Sequence, residues 1–326
     1  MKKIAYLVSA VVAGLGFSTA ANADVTVSGA GGVEVLSAGS TTTVYQGGSV
    51  TFSLSTTTAS GIAISTSAGW GINSDTADYN ASGNGAGEFS SMSFAAGGNT
   101  VTLATGLELP AGGGVGGVSN DLVSTGLASA SASAGAGDHT GHGVQLATAM
   151  GAASLTIGYV WDTDPTATAD AEGVAGTGAV QTNNSNTSGN DTAFGVGISM
   201  PMGPLTVSVN HAQDNDSTTS GSETGGNIAY AIGGGTLKVG YLDDTTSGAA
   251  ATETSIAYSM SLDADTSIAA GYKSTDEGSN STQVTELNLN RSMGGGVSVF
   301  LDYSSISGST GSGNNSAVAF GTNIAF

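Results

Sequence analysis

The last twelve residues, 315–326, alternate with a period of two. Val318, Phe320, Ile324 and Phe326 share one phase, with Thr322 as its polar member; Ala317, Ala319, Gly321, Asn323 and Ala325 share the other. Successive side chains of a strand point to opposite faces, so this is a strand with one oily face and one small or polar face. It ends on an aromatic. The same pattern recurs in about sixteen segments, and this series limits what the chain can fold into more than any other feature.

The segments read as strands over 24–36, 48–57, 61–71, 89–95, 100–104, 143–150, 154–162, 192–200, 204–213, 226–232, 236–244, 252–262, 265–274, 283–291, 296–305 and the C-terminal stretch. Short connections, such as 97–99, 151–153 and 233–235, alternate with longer polar ones at 37–46, 72–88, 105–142, 163–191, 214–225, 245–251, 275–282 and 306–314. An even strand number with alternating short turns and long loops is the pattern of an all-β, sixteen-stranded antiparallel transmembrane β-barrel, with short periplasmic turns and long extracellular loops. A β-sandwich needs no such alternation, and no fixed repeat period marks a solenoid. A Ser/Thr/Gly-rich secreted adhesin or surface-layer protein shares the composition and is the competing reading.

In a barrel the apolar phase faces lipid. Trp70, Tyr159, Trp161, Tyr241, Tyr272, Tyr303 and Phe326 lie near strand ends, where an interfacial aromatic belt belongs. The opposite phase is Ser, Thr, Gly, Asn and Ala, which suits a water-filled lumen, and sixteen strands enclose more space than their own side chains fill.

Residues 1–23 read as a cleaved secretory signal: Lys2 and Lys3, an apolar core from Ile4 to Phe17, and the small-x-small site Ala21-Asn22-Ala23. Residues 24–326 then form a single barrel domain. There is no cysteine, so an exported chain must be held by its hydrogen-bonded wall rather than by disulfides. The whole chain has 5 Lys+Arg against 25 Asp+Glu; without Lys2 and Lys3, only Lys238, Lys273 and Arg291 are basic. Nucleic-acid binding needs a basic footprint and is excluded. A strongly acidic field attracts cations.

By phase, Glu286, Asp302, Lys238 and Lys273 are lumen-facing, and Arg291 falls on the lipid-facing phase. The longest loop contains Gly112-Gly-Gly-Val-Gly-Gly117, which matches G-x-G-x-x-G in form but lacks the strand–helix context of a nucleotide site. Its small residues would let it fold close against a barrel wall. Asp138-His139-Thr-Gly-His142 has metal-ligand types without a shaping scaffold, so no metal site is expected there. Asp162, Asp164, Asp170, Asp243 and Asp244 could bind Ca²⁺ weakly through oxygen ligands; otherwise no cofactor is expected. No nucleophile elbow and no paired acids in a catalytic setting occur, so the chain does not read as an enzyme.

The opening Val25-Thr-Val-Ser-Gly29, the pair Val50-Thr-Phe-Ser-Leu54 and Gly61-Ile-Ala-Ile64, the Gly294-Gly-Gly-Val-Ser-Val299 hairpin and terminal Phe326 together resemble the sixteen-stranded general diffusion porins of Gram-negative bacteria, of the alphaproteobacterial, Rhodobacter-like type. The resemblance implies an inward-folded third loop at 105–142 forming the pore constriction, with Glu108, Asp121 and Asp138 as its acids. It also implies a homotrimer in outer-membrane lipid, and Phe326 as the signal read by the barrel-assembly machinery. One departure stands out. General porins oppose the loop acids with a cluster of arginines, and this chain cannot supply one. A cation-attracting pore for small hydrophilic solutes and cations is the expectation.

Overall fold

A computed structural model describes residues 24–73, 91–113, 115, 140–161, 192–215, 221–245, 250–308 and 315–326. Residues 1–23 lie outside them. Sixteen strands pair antiparallel, each with its sequence neighbours, and β1 (Asp24–Ala38) pairs with β16 (Asn315–Ala325) to close the barrel. Closure pairs every strand on both sides and leaves no open edge.

Between β1 and β16 the strands are β2 (Thr41–Thr57), β3 (Ala63–Asn73), β4 (Ser91–Ala96), β5 (Asn99–Glu108), β6 (Thr140–Met150), β7 (Ala153–Trp161), β8 (Thr192–Met202) and β9 (Leu205–Asp214). They continue as β10 (Ser222–Ile232), β11 (Gly235–Asp244), β12 (Ala251–Ser261), β13 (Thr266–Glu277), β14 (Asn280–Gly294) and β15 (Val297–Gly308). Among the described residues there is no helix.

Alternation decides which face is which. Val33, Val35, Ile198, Val209, Ile228, Val239, Ile256, Leu287, Leu301 and Phe320 are exposed on the outer wall, together with Trp161, Tyr241, Tyr272 and Tyr303. So continuous an apolar band is not compatible with a water-facing surface. The inner phase is mostly Ser, Thr, Asn, Ala and Gly, apart from a set of charged groups and two apolar clusters. Leu36, Val284, Phe300, Ile306, Ala317 and Ala319 form one buried apolar cluster inside the wall, with Tyr45 packed against it. Leu107, Leu109, Val160 and Ala193 form another. The sequence reading anticipated neither cluster.

Two expected long loops are absent. The connection placed at 37–46 is a two-residue turn at Gly39-Ser40, and the one at 275–282 is a two-residue turn at Gly278-Ser279. Gly39 and Gly278 have φ of 59° and 58°, and glycine adopts this backbone at no steric cost, so the hairpins close tightly. The 105–142 loop is also shorter than expected, because β5 runs on to Glu108 and β6 starts at Thr140. Likewise β10 starts at Ser222 rather than 226. In each case polar strand ends read as loop.

At the seam, pairing runs from Ala38↔Ala317 to Ala30↔Ala325. One step further, Gly29 and Phe326 exchange both backbone bonds, each 2.9 Å. The Phe326 ring lies directly over Gly29, where any side chain at Gly29 would stand.

Candidate functional site

The inner wall is crossed by the segment that leaves β5. The β5–β6 pairing shifts between Ala104 and Leu107, and this bulge turns the chain inward. Leu107 and Leu109 are buried against Val160 and Ala193. Gln145 Nε2 donates to the Glu108 carbonyl at 3.3 Å. Asn210 Nδ2 donates to the carbonyls of Gly112 (2.9 Å) and Ala111 (3.4 Å). Further on, the Val115 N–H donates to Ser255 Oγ at 2.8 Å. In eight residues the segment passes from β5 across the inner face of the wall to β12.

A track of missing side chains makes this course possible. A Cβ on Gly143 would stand 2.7 Å from Leu107 Cδ2, and one on Gly158 would stand 2.5 Å from Leu109 Cδ2. On Gly195 it would meet Leu109 Cβ at 2.9 Å, and on Gly197 it would meet Pro110 Cβ at 3.0 Å. On Gly225 it would meet the Gly113 nitrogen at 2.7 Å. These glycines lie on β6, β7, β8 and β10, all on the inward phase. Gly113 in turn lies on the backbone of Gly225, Gly226 and Tyr241, with no room for a side chain.

The second feature is charge. Glu34, Asp214, Glu223, Asp244, Glu253, Glu286 and Asp302 all point inward and are buried, together with Lys273. Each comes from a different strand. Glu223 and Asp244 are directly opposite one another in the β10–β11 pairing. Glu253 pairs with Thr275 and is opposite Leu242, two residues nearer the turn end than Asp244. Lys273 is opposite Ser255, two residues lower again, Glu286 is opposite Gly271, and Asp302 is opposite Asn288. Glu34 continues the descent through Gly321. Barrel strands tilt by roughly 40°, so a level path must step down by roughly one residue per strand. The eight groups therefore form a nearly level arc around half of the inner wall.

The arc meets the inward segment at β10 to β12. The Glu223 carboxylate accepts the Gly112 backbone N–H and lies within electrostatic range of Asp244, Glu253 and Glu108. Lys273 Nζ stands 3.4 Å from Glu253 Oε2. Asp302 Oδ1 accepts from Asn288 Nδ2 at 2.5 Å. Lys238 is inward and exposed, near the turn end of β11. Arg291 is outward and exposed, donating to Thr266 Oγ1 at 2.9 Å with Asp263 at 3.8 Å.

Of the residues singled out in the sequence, Glu108 sits at the root of the inward segment rather than on its span. Asp121 and Asp138 lie outside the described residues. Glu286 and Asp302 are on the inner wall, covered rather than open. Asp243 and Asp244 lie on opposite faces of β11 and cannot share an ion, while Asp162, Asp164 and Asp170 lie outside the described residues. His142 is on the outward phase opposite Trp161, and its partner His139 lies outside the described residues. Among the described residues no group of three or more His, Asp or Glu could hold a metal ion. Glu34, Asp214, Glu223 and Glu253 were not singled out. Glu34 and Glu253 could have been found by phase, since they oppose Val33 and Val35, and Thr254 and Ile256.

No protein-family model matches the chain. No curated protein matches it either. Solved barrels do. A loop-deletion mutant of OmpT, an outer membrane protein of Vibrio cholerae, superimposes with a TM-score of 0.65 at 11% identity, over 93% of this chain and 99% of that one. A mutant of the Rh. blastica porin gives 0.62 at 13% identity, over 93% and 100%. An anion-selective porin from Comamonas acidovorans gives 0.63 at 15% identity, over 94% and 100%. At these identities the likeness establishes the sixteen-stranded barrel fold.

Proposed function

We propose that this chain is an outer-membrane porin: a water-filled channel, not an enzyme, through which small hydrophilic solutes and ions diffuse passively, with cations preferred over anions. The observation that carries the reading is the level arc of seven carboxylates and one lysine beside an inward-folded segment, inside a barrel whose outer face is apolar. Rings of acidic side chains at a narrow level raise the local cation concentration and repel anions. The similar Comamonas barrel is anion-selective, so selectivity does not come with the fold. It follows the charges that each sequence places on its wall, and here Lys273 is already matched by Glu253.

The rest of the reading goes with this. Residues 1–23 are a cleaved export signal, Phe326 is the signal read by the barrel-assembly machinery, and the barrels associate as homotrimers in the outer membrane. Asp121 and Asp138 are read, with Glu108, as the acids of the pore constriction.

The test is the zero-current potential of refolded protein in a planar bilayer under a KCl gradient. Stepwise conductance with a potential displaced toward the K⁺ equilibrium value is expected, and replacing Glu108 and Asp121 by alanine should reduce the displacement. An anion-directed potential would overturn the cation preference. A folded, inserted protein that gives no steps would overturn the channel.

A further inference from the structure

The inner wall is divided along its axis. Seven buried carboxylates and Lys273 make up the arc, which is formally six charges negative. Nearer the turn end the inward side chains are neutral, among them Ser53, Thr102, Thr206, Ser259 and Ser298. Among the described residues the charged groups there are Lys238 on the wall, Asp24 at the rim, and Asp263 and Asp265 in the β12–β13 turn with Arg291 beside them. Their formal charges leave one negative, against six for the arc. One half of the wall is thus strongly negative and the other close to neutral, with a lysine open to the lumen on the side below Asp244.

Lys238 and Asp244 lie on one strand, six residues apart. At a rise of about 3.3 Å per residue and a tilt of roughly 40°, that is about 15 Å along the axis. The Debye length is about 10 Å at 0.1 M salt and about 3 Å at 1 M. At 0.1 M the two zones therefore hold different ion populations. In the acidic zone cations carry the current; in the neutral zone cations and anions share it.

Two such zones in series do not conduct equally in both directions. When cations are driven from the loop end, they leave the acidic zone faster than they cross the neutral one. They accumulate there, and anions entering from the turn end accumulate with them, so conductance rises. With the voltage reversed, the neutral zone is depleted of both ions. Resting on the porin reading, we infer that the channel rectifies, passing more current when cations move from the loop end to the turn end than in the opposite direction. Lys238 sharpens the effect by holding anions in the lower zone.

The measurement is single-channel current at equal and opposite voltages, with the orientation of each channel known. Ser40 lies in the exposed β1–β2 turn at the loop end, and the chain has no cysteine, so Ser40→Cys gives a unique site for biotin. Streptavidin added to one chamber then reports which end faces it. In 0.1 M KCl a current ratio of about 1.5 or more is expected, falling close to one in 1 M KCl as screening tightens. Lys238→Glu should bring the 0.1 M ratio toward one, because the lower zone then prefers cations too; Lys238→Ser should leave a smaller ratio in the same direction. Steps with equal currents at 0.1 M, or with the larger current in the opposite direction, would overturn the inference and leave the channel standing. Absence of steps would overturn the channel reading itself, and the inference with it.

Discussion

Releasing the inward segment should open the channel without unfolding the barrel. Leu109 is 3% exposed and is seated between Gly158 and Gly195. Truncating a leucine so well enclosed costs about 3 kcal/mol. Losing the Asn210 bond to the Gly112 carbonyl adds about 1 kcal/mol. The wall keeps its ladder of backbone bonds in both variants, so the loss falls on the docked state of the segment alone. About 4 kcal/mol corresponds to roughly a thousandfold fall in the ratio of docked to released segment. Leu109→Ala with Asn210→Ala should therefore give a larger mean single-channel conductance and noisier open levels. The recording belongs in 1 M KCl, where charge is screened and size dominates. Gly158→Val approaches the same state from the wall side, since its Cβ would stand 2.5 Å from Leu109 Cδ2. Circular dichroism and the heat-modifiable gel band report that the barrel is intact. A double variant with unchanged conductance and unchanged exclusion of neutral polymers would refute the assignment of 107–115 as the element that narrows the lumen.

Two further predictions concern the wall. Gly29→Val should displace the Phe326 ring and lower the temperature at which the folded gel band is lost. Combined with Phe326→Ala it should cost less than the sum of the two single losses, the remainder being the approach of the new Cβ to the Ser49 carbonyl oxygen at 2.9 Å; simple additivity of the two losses would count against the seat. In the β12–β13 turn, Asp263 Oδ1 accepts the Asp265 N–H at 2.8 Å and the Thr266 N–H at 2.7 Å. These bonds, the one from Asp265 foremost, hold its carboxyl below the usual aspartate range. With a folded-state pKa depressed in this way, the stabilisation is complete above the ordinary aspartate pKa and is lost as pH falls through the depressed value. Asp263→Asn should weaken the barrel at neutral pH and flatten this acid dependence in urea titrations, whereas an unchanged pH profile would show that the turn does not depend on the charge.

The barrel was legible because lipid imposes a strict condition. Every second residue of a spanning strand must be apolar, and Val297, Val299, Leu301 and Tyr303 obey it without help from neighbouring strands. The same condition says nothing about the other phase. Lumen, strand tips and loops are all polar, so 41–46 and 280–282 read as loop although they are strand, and the Gly-Ser pairs that turn those hairpins went unrecognised. Glu223 was hidden in the same way, three residues before the expected start of its strand. The inner site has a further requirement. Gly143, Gly158, Gly195 and Gly225 are ordinary strand glycines one at a time, and Asp214, Glu253, Glu286 and Glu34 are far apart in sequence. Only the pairing register, corrected for strand tilt, aligns the glycines into a track and the acids into an arc. The outer face is fixed by each strand alone, whereas the inner face is a property of sixteen strands in register, and the function proposed for this chain depends on that inner face.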